Sequence, residues 1–242
     1  PRYECGEGRP VMDSQQKVID DFGDQWTSLT ENTGYYASVE MLRDILDPLV
    51  DTDDLRGKSV CDVGGGTGRI VNMLLECRAG HVTVLEPSDA IGVIHHIPDP
   101  APTLANMYDA VKSGGTAFIW IYGREGNKTY LFFAEKARIV TKVLPDPVLR
   151  GISHLLTVAL MAYIGLCRVL PLPMRTYMRN VIGKYKYENL FLTVFDQLNP
   201  EHANYYMKDE AEELFRNAGF ADVQIFHRDG YSWSVSGTNR LT

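Results

Sequence analysis

The sequence is short of cysteine, of clustered positive charge and of long apolar runs, and each shortage excludes a class of protein. The four cysteines in 242 residues, Cys5, Cys61, Cys77 and Cys167, are scattered without C-x-x-C spacing. That pattern argues against a disulfide framework or a zinc site, and for reduced, mostly buried thiols in an intracellular protein. The net charge is −7 and no basic run exceeds a couple of residues. A binder of phosphate backbones needs clustered Lys and Arg, so nucleic acid is not an expected partner. The longest apolar run, residues 155–167, is thirteen residues long. It falls short of the roughly 20 that span a bilayer and predicts a buried or interfacial helix, not an integral membrane segment. Residues 1–10 are polar and show no secretory leader, so a cytoplasmic, soluble protein is expected.

What is present is an ordinary globular composition, 45% apolar and 23% charged, of a length that fits one large domain or a domain plus an insertion. Residues 13–50 have a helical pattern with a break at 32–34. Strand patterns at 58–63, 81–85, 91–94 and 116–122 alternate with helical patterns at 67–77 and 101–111, the rhythm of an α/β fold with a parallel sheet. Residues 125–190 interrupt it with a long helical stretch punctuated by Pro145, Pro147, Pro171 and Pro173. A helix over 208–218 then ends at Gly219, and strands at 222–227 and 231–237 flank the turn Arg228-Asp229-Gly230, a hairpin signal. This divides the chain into a leading helical segment (1–50), a core (51–124 and 201–242) and a helical insertion (125–200).

The most specific feature is the glycine loop Asp62-Val63-Gly64-Gly65-Gly66-Thr67-Gly68, which runs from a predicted strand into a predicted helix. Glycine lets the backbone turn tightly and approach a ligand within contact distance. Glu86 closes the next strand, where a carboxylate can accept both hydroxyls of a ribose. The spacing is G-x-G-x-G, not the G-x-G-x-x-G of dinucleotide sites, and no G-K-[ST] follows, which excludes a P-loop.

Asp62-x-Gly64-x-Gly66-x-Gly68 with Glu86 resembles the class I S-adenosylmethionine-dependent methyltransferases. Further stretches of the chain resemble the same family. Residues 91–100 (IGVIHHIPDP) are similar to its fourth-strand motif, 111–115 (VKSGG) to the turn before its fifth strand, and 214–223 to its late helix–turn–strand. The resemblance implies an α/β, Rossmann-like sheet of seven strands, mostly parallel, with a C-terminal antiparallel hairpin and a helical insertion as lid. It also implies S-adenosyl-L-methionine as cofactor, held by Asp62, Gly64, Gly65, Gly66, Thr67 and Gly68, by Glu86 and Pro87, and by Ile91 and Gly92. The acceptor is then a small, hydrophobic or aromatic molecule, with Trp26, Tyr122, Tyr205 and Tyr206 as its contacts. His95 and His96, after the fourth strand, are the candidates for handling a proton. Quinone O-methyltransferases bind a metal through a Glu-His pair at this place; His95 replaces that Glu, so no metal is expected.

One connection conflicts with that sheet order. From the top of the second strand the chain must return ~16 Å along the sheet and ~10 Å across it to start the fourth. The four residues 87–90 reach about 14 Å, whereas parallel crossovers need a dozen residues or more. A segment of roughly 35–45 residues is therefore expected to be missing between Ala90 and Ile91. The helices of 125–200 are expected either to wall an acceptor pocket or to pack on the sheet or a second subunit, which makes a homodimer through the insertion one arrangement. A nicotinamide-dependent oxidoreductase and a non-catalytic ligand-binding member of the fold are the alternative functions.

Overall fold

The computed structural model of the chain describes residues 33–65, 68–85, 94–141, 143–198 and 203–240, without the side chain of Thr129. Helix α1 (Val39–Leu46) starts where Ser38 Oγ accepts from the Met41 amide at 3.2 Å, an N-cap that satisfies one of the free donors of the first turn. Strands β1 (Ser59–Val63) and β2 (His81–Leu85) pair in parallel, with Ser59 opposite His81 and Val63 opposite Leu85. Helix α2 (Arg69–Glu76) makes the crossover. Its Met73 and Leu74 close over Met41, Leu42 and Leu46 of α1, so each amphipathic helix buries its apolar stripe on the other.

The other helices are α3 (Ala101–Ala110), α4 (Lys128–Thr141), α5 (Asp146–Val169), α6 (Arg175–Asn180), α7 (Tyr187–Leu198) and α8 (Lys208–Asn217). Strands β3 (Thr116–Tyr122), β4 (Ala221–Arg228) and β5 (Ser232–Thr238) form a second sheet in the order β3-β5-β4, antiparallel throughout. Central β5 is buried from Ser232 to Gly237, while at the edges β3 alternates between buried and more open positions and β4 between half-buried and exposed ones up to the buried Arg228. Leu104 of α3 and Phe215 of α8 close the core around Ile119, Ile121, Trp233 and Val235. The β4–β5 turn forms where its residues predict it. Asp229 and Gly230 both have positive φ, 47° and 75°, the mirror-image turn whose twist matches two antiparallel strands.

The expected seven-stranded, mostly parallel sheet is not what the chain forms. Among the described residues there are two sheets, one parallel pair and one antiparallel triplet, with no strand joining β1 to β3. The reason is the connection. Eight residues, 86–93, separate Leu85 from Ile94, too few for a crossover to a parallel neighbour. Ile94 opens a single 3₁₀ turn, Ile94–His96, in place of ending a strand. The Ala90–Ile91 junction, where a missing segment is expected, lies outside the described residues.

Helix α1 spans the two sheets instead. Arg228 of β4 is buried and pairs with the Asp44 carboxylate, and its Nε donates to the Asp44 carbonyl at 2.9 Å. Ser234 Oγ donates to the Ile45 carbonyl at 3.0 Å, and Phe118 of β3 packs against the α1–α2 cluster. Within the helical stretch, Leu149 of α5 packs on Phe191 and Phe195 of α7, and Ile164 packs on Ile182 and Leu190. Of the described cysteines only Cys167 is buried. Cys61 is exposed and Cys77 half-buried, so the expectation of mostly buried thiols does not hold for these three.

Candidate functional site

The glycine loop leaves the carboxyl end of β1. Gly64 turns back with φ 79°, its amide donating to the Leu85 carbonyl at 2.8 Å, and Gly68 stands before α2 with φ 76°. Gly65 is held where no side chain fits: a Cβ there would lie 2.5 Å from Val84 Cγ1 and 3.1 Å from Asp62 Oδ2. At Gly68 the opposite is true, since a Cβ would meet nothing within 4 Å. Helix α2 has no side-chain N-cap, so no side chain at its cap position satisfies its first amides, the donors that can receive an anionic group. Val63 and Leu85, at the adjacent strand ends, are 39% and 48% exposed and offer an apolar ledge beside it. The described part of the loop thus fits a ligand with a charged head and a flat apolar body. Gly66, Thr67, Glu86, Pro87, Ile91, Gly92 and Trp26 lie outside the described residues.

A second group of side chains gathers at the carboxyl end of β3. The His95 ring packs against Tyr122 at 4.0 Å, His96 at 4.5 Å and Trp120 at 5.5 Å between centroids, and Tyr122 stacks on Tyr205 at 5.2 Å and 21°. Beneath the tyrosines lies a polar network that draws on α4, α7 and the strand end. Gln197 Nε2 donates to the Tyr122 hydroxyl at 3.0 Å, and Tyr130 donates to Gln197 Oε1. Arg138 donates to the Gln197 carbonyl at 3.0 Å and to the Tyr205 hydroxyl at 3.0 Å. The Tyr122 hydroxyl also approaches Asp196 Oδ2 at 3.4 Å.

Burial sets the electrostatics here. It holds the His95 imidazole well below the usual histidine range, reinforced by the charge of His96 and opposed by a hydrogen bond with the Trp120 backbone. His95 is therefore neutral near pH 7, and among the described residues its buried Nδ1 has no hydrogen-bond partner. Burial pushes the Asp196 carboxyl up, against the pull of His96 and Arg138 and of hydrogen bonds from Tyr122 and Gln197. Burial likewise raises the Tyr122 hydroxyl, with Asp196 adding to it. Asp196 thus joins the same group of side chains through Tyr122 and Gln197.

The two groups are neighbours. Arg69, the first residue of α2, donates to the Tyr36 carbonyl at 2.8 Å and holds its guanidinium 4.2 Å from the Tyr36 ring centre. Burial raises the Tyr36 hydroxyl; the Arg69 charge lowers it and Asp196 raises it again, so Tyr36 stands within the fields of both. Tyr36 also meets Tyr185, within the helical insertion, edge-on at 5.3 Å. Beyond the tyrosines a cleft of about 540 Å³ is lined by Arg124, Leu131, Asn204, Tyr205 and Tyr206 among others. Asn204 ties this cleft to the histidine turn, its amide donating to the His95 carbonyl at 2.8 Å and its side chain to the Ile97 carbonyl at 2.8 Å.

Of the residues named from sequence, His95, His96, Tyr122 and Tyr205 come together. Tyr206 lines the cleft, and its backbone pairs with Gly123 beyond β3. Asp62, Gly64, Gly65 and Gly68 form the loop. Residues 155–167 do not wall this site: Leu155 and Val158 face outward, 71% and 57% exposed. Sequence reasoning missed Tyr36, Arg69, Tyr130 and Arg138. No local pattern in the sequence marks these four, since Arg138 stands among Lys128, Glu135 and Lys136 as one more charged residue.

No family model and no curated protein matches the chain. Solved structures similar to it include human N-acetylserotonin methyltransferase in complex with SAM (TM-score 0.45, 14% identity, 97% of this chain and 61% of that one). A second is an O-methyltransferase family protein from Burkholderia thailandensis (0.44, 12%, 96% and 62%). A third is a SAM-dependent methyltransferase, possible histamine N-methyltransferase, from Thermotoga maritima (0.41, 16%, 93% and 98%). The chain spans about three fifths of the length of the first two. What this chain can bind and do follows from its own residues.

Proposed function

We propose that the chain is an S-adenosylmethionine-dependent methyltransferase that methylates a small hydrophobic or aromatic molecule by in-line transfer. The observation that carries this is the glycine loop, with Gly65 closed to any side chain and open space above Gly68 at an uncapped helix start. In this reading Asp62, Gly64, Gly65, Gly66, Thr67 and Gly68 cradle the methionine end. Glu86 with Pro87 takes the ribose, and Ile91 and Gly92 complete the surface. The bound cofactor supplies a methyl group on a positively charged sulfur, an electrophile that reacts with any aligned nucleophile. The chain's task is alignment and the exclusion of water, the terms that supply most of the rate in such a displacement.

Tyr122 and Tyr205, stacked and fixed through Gln197 and Arg138, hold the flat face of the acceptor, with Tyr206 and Trp26 at the border. Where the attacking atom carries a proton, His96 receives it, on a ring packed against His95 and Tyr122. His95, kept neutral by burial, is the second candidate and packs between His96 and Tyr122. Three described cysteines are free thiols, which suits a reducing cytoplasm.

The test is transfer of label from methyl-labelled S-adenosylmethionine to a component of a cell extract, followed by identification of the product. Labelling is expected with the parent, and His96→Ala should slow it by roughly a hundredfold or more for an acceptor that loses a proton. Cofactor binding without any transfer would favour a non-catalytic ligand-binding role.

A further inference from the structure

A helix on the surface of a protein surrounded by water turns its apolar residues inward. Helix α5 buries Leu149, Ile164 and Cys167 in this way but leaves much of its other apolar surface outside. Its inward stripe includes Ser153 and Thr157, both fully buried, whose hydroxyls donate to the carbonyls of Leu149 and Ser153 at 2.8 and 2.7 Å. Its outward side carries Leu155, Val158 and Val169, 57–76% exposed, and only 22% of its most apolar stretch is buried. Helix α4, which also packs on α7, adds Phe132, Phe133 and Ile139, 55–73% exposed. No Asp, Glu, Lys or Arg occurs from residue 151 to residue 167, about 26 Å of helix at 1.5 Å per residue. Apolar surface of this extent marks a place of contact.

Charge identifies what the contact is with. Residues 128–186 hold ten Lys and Arg against two Asp and Glu, a net +8, while the rest of the chain holds 14 against 29, a net −15; of the ten, Arg138 is buried in the tyrosine network and Lys184 pairs with Glu40. Arg150 and Arg168 bracket the uncharged stretch. Lys136 lies along the exposed Phe132, its Nζ 3.7 Å from the ring centre, the posture of a side chain that covers apolar surface with its stem and reaches outward with its charge. Two copies of the chain joined through this face would set like charge against like. An anionic lipid surface offers an apolar layer and the opposite charge together. Helix α5 is also fastened at both ends, Leu149 to Phe191 and Phe195, Ile164 to Ile182 and Leu190, so it lies along the body of the protein.

We propose that α4 and α5 dock the protein on the surface of a bilayer containing anionic lipid, their apolar side chains entering the acyl boundary and the Arg and Lys collar meeting the headgroups. The test is co-sedimentation of the full chain with vesicles of phosphatidylcholine alone, or of phosphatidylcholine mixed with phosphatidylglycerol. Binding to the mixed vesicles is expected to be at least about tenfold tighter and to weaken with added salt. The double substitution Leu155→Asp/Val158→Asp, at exposed positions, should keep the parent's melting temperature and lower binding by about tenfold or more. Lys136→Glu/Arg168→Glu should remove the preference for anionic lipid. Failure to sediment with either vesicle, or equal binding by parent and Leu155→Asp/Val158→Asp, would overturn the proposal. So would a dimer that this double substitution splits into monomers while vesicles bind neither form.

Discussion

The two sheets of this molecule carry similar apolar strands and end in different states. In the β3-β5-β4 sheet the central strand is covered on both faces, with Phe215 and Val235 fully buried. In the β1-β2 pair, Val63, Val84 and Leu85 remain 39–48% exposed. A parallel sheet normally has helices over both faces; this one has α1 and α2 on one side and an open end where the glycine loop lies. The antiparallel sheet is the part that holds the fold together, and the parallel pair is the part left accessible to a ligand.

The largest effect expected from this contrast is at Phe215. Phe215→Ala removes a side chain with no exposed surface and should lower unfolding free energy by about 3–5 kcal/mol. Leu85→Ala, at the end of β2, should cost less than about 1 kcal/mol. Denaturant titration of both variants measures the difference, and equal losses would erase the distinction.

The link between the sheets comes next. Asp44→Ala leaves Arg228, whose side chain is 3% exposed, without its carboxylate. Breaking a buried pair from one side costs about 3 kcal/mol or more, reduced here because Asp44 is itself 36% exposed. A loss of ~2 kcal/mol is expected, with the two sheets melting less cooperatively. A variant as stable as the parent would mean that α1 does not join them.

The smallest effect is a dependence on pH. His95 titrates in the folded protein well below 6.5, its value when unfolded, so between those values only the unfolded chain binds the proton. Its contribution to stability is present above about pH 6.5 and is lost as pH falls, with a slope of at most ~1.4 kcal/mol per pH unit. Asp196, raised by burial, acts in the opposite direction at lower pH. The contribution is therefore read from the difference between the parent and His95→Gln across pH 8 to 5, and parallel curves would contradict it.

The legible parts of this fold are those determined by neighbours in sequence. Asp229-Gly230 names its own turn, and Gly219 ends α8 with φ 100°. The glycine loop is readable for the same reason, since Gly64 and Gly68 supply backbone angles that other residues reach only with strain. The seven-stranded order failed because it depends on a connection, residues 86–93, whose length decides which strands can meet. The network of Tyr130, Arg138, Gln197 and Tyr205 spans 67 positions between Tyr130 and Gln197 alone and leaves no local pattern. The apolar run of α5 was plain in the sequence. Its outward-facing part was not, because Ser153 and Thr157 take two of the inward positions by bonding to their own helix.

The most direct test of the proposed function is isothermal calorimetry with S-adenosylmethionine and with NAD on the parent, Glu86→Ala and Gly65→Ala proteins. S-adenosylmethionine should bind the parent and NAD should not. Glu86→Ala should weaken binding by roughly 1–3 kcal/mol through loss of charged hydrogen bonds. Gly65→Ala, whose Cβ would meet Val84 at 2.5 Å, should weaken it as well. Binding of NAD in place of S-adenosylmethionine, or binding that neither substitution changes, would contradict the assignment of the glycine loop as the cofactor site.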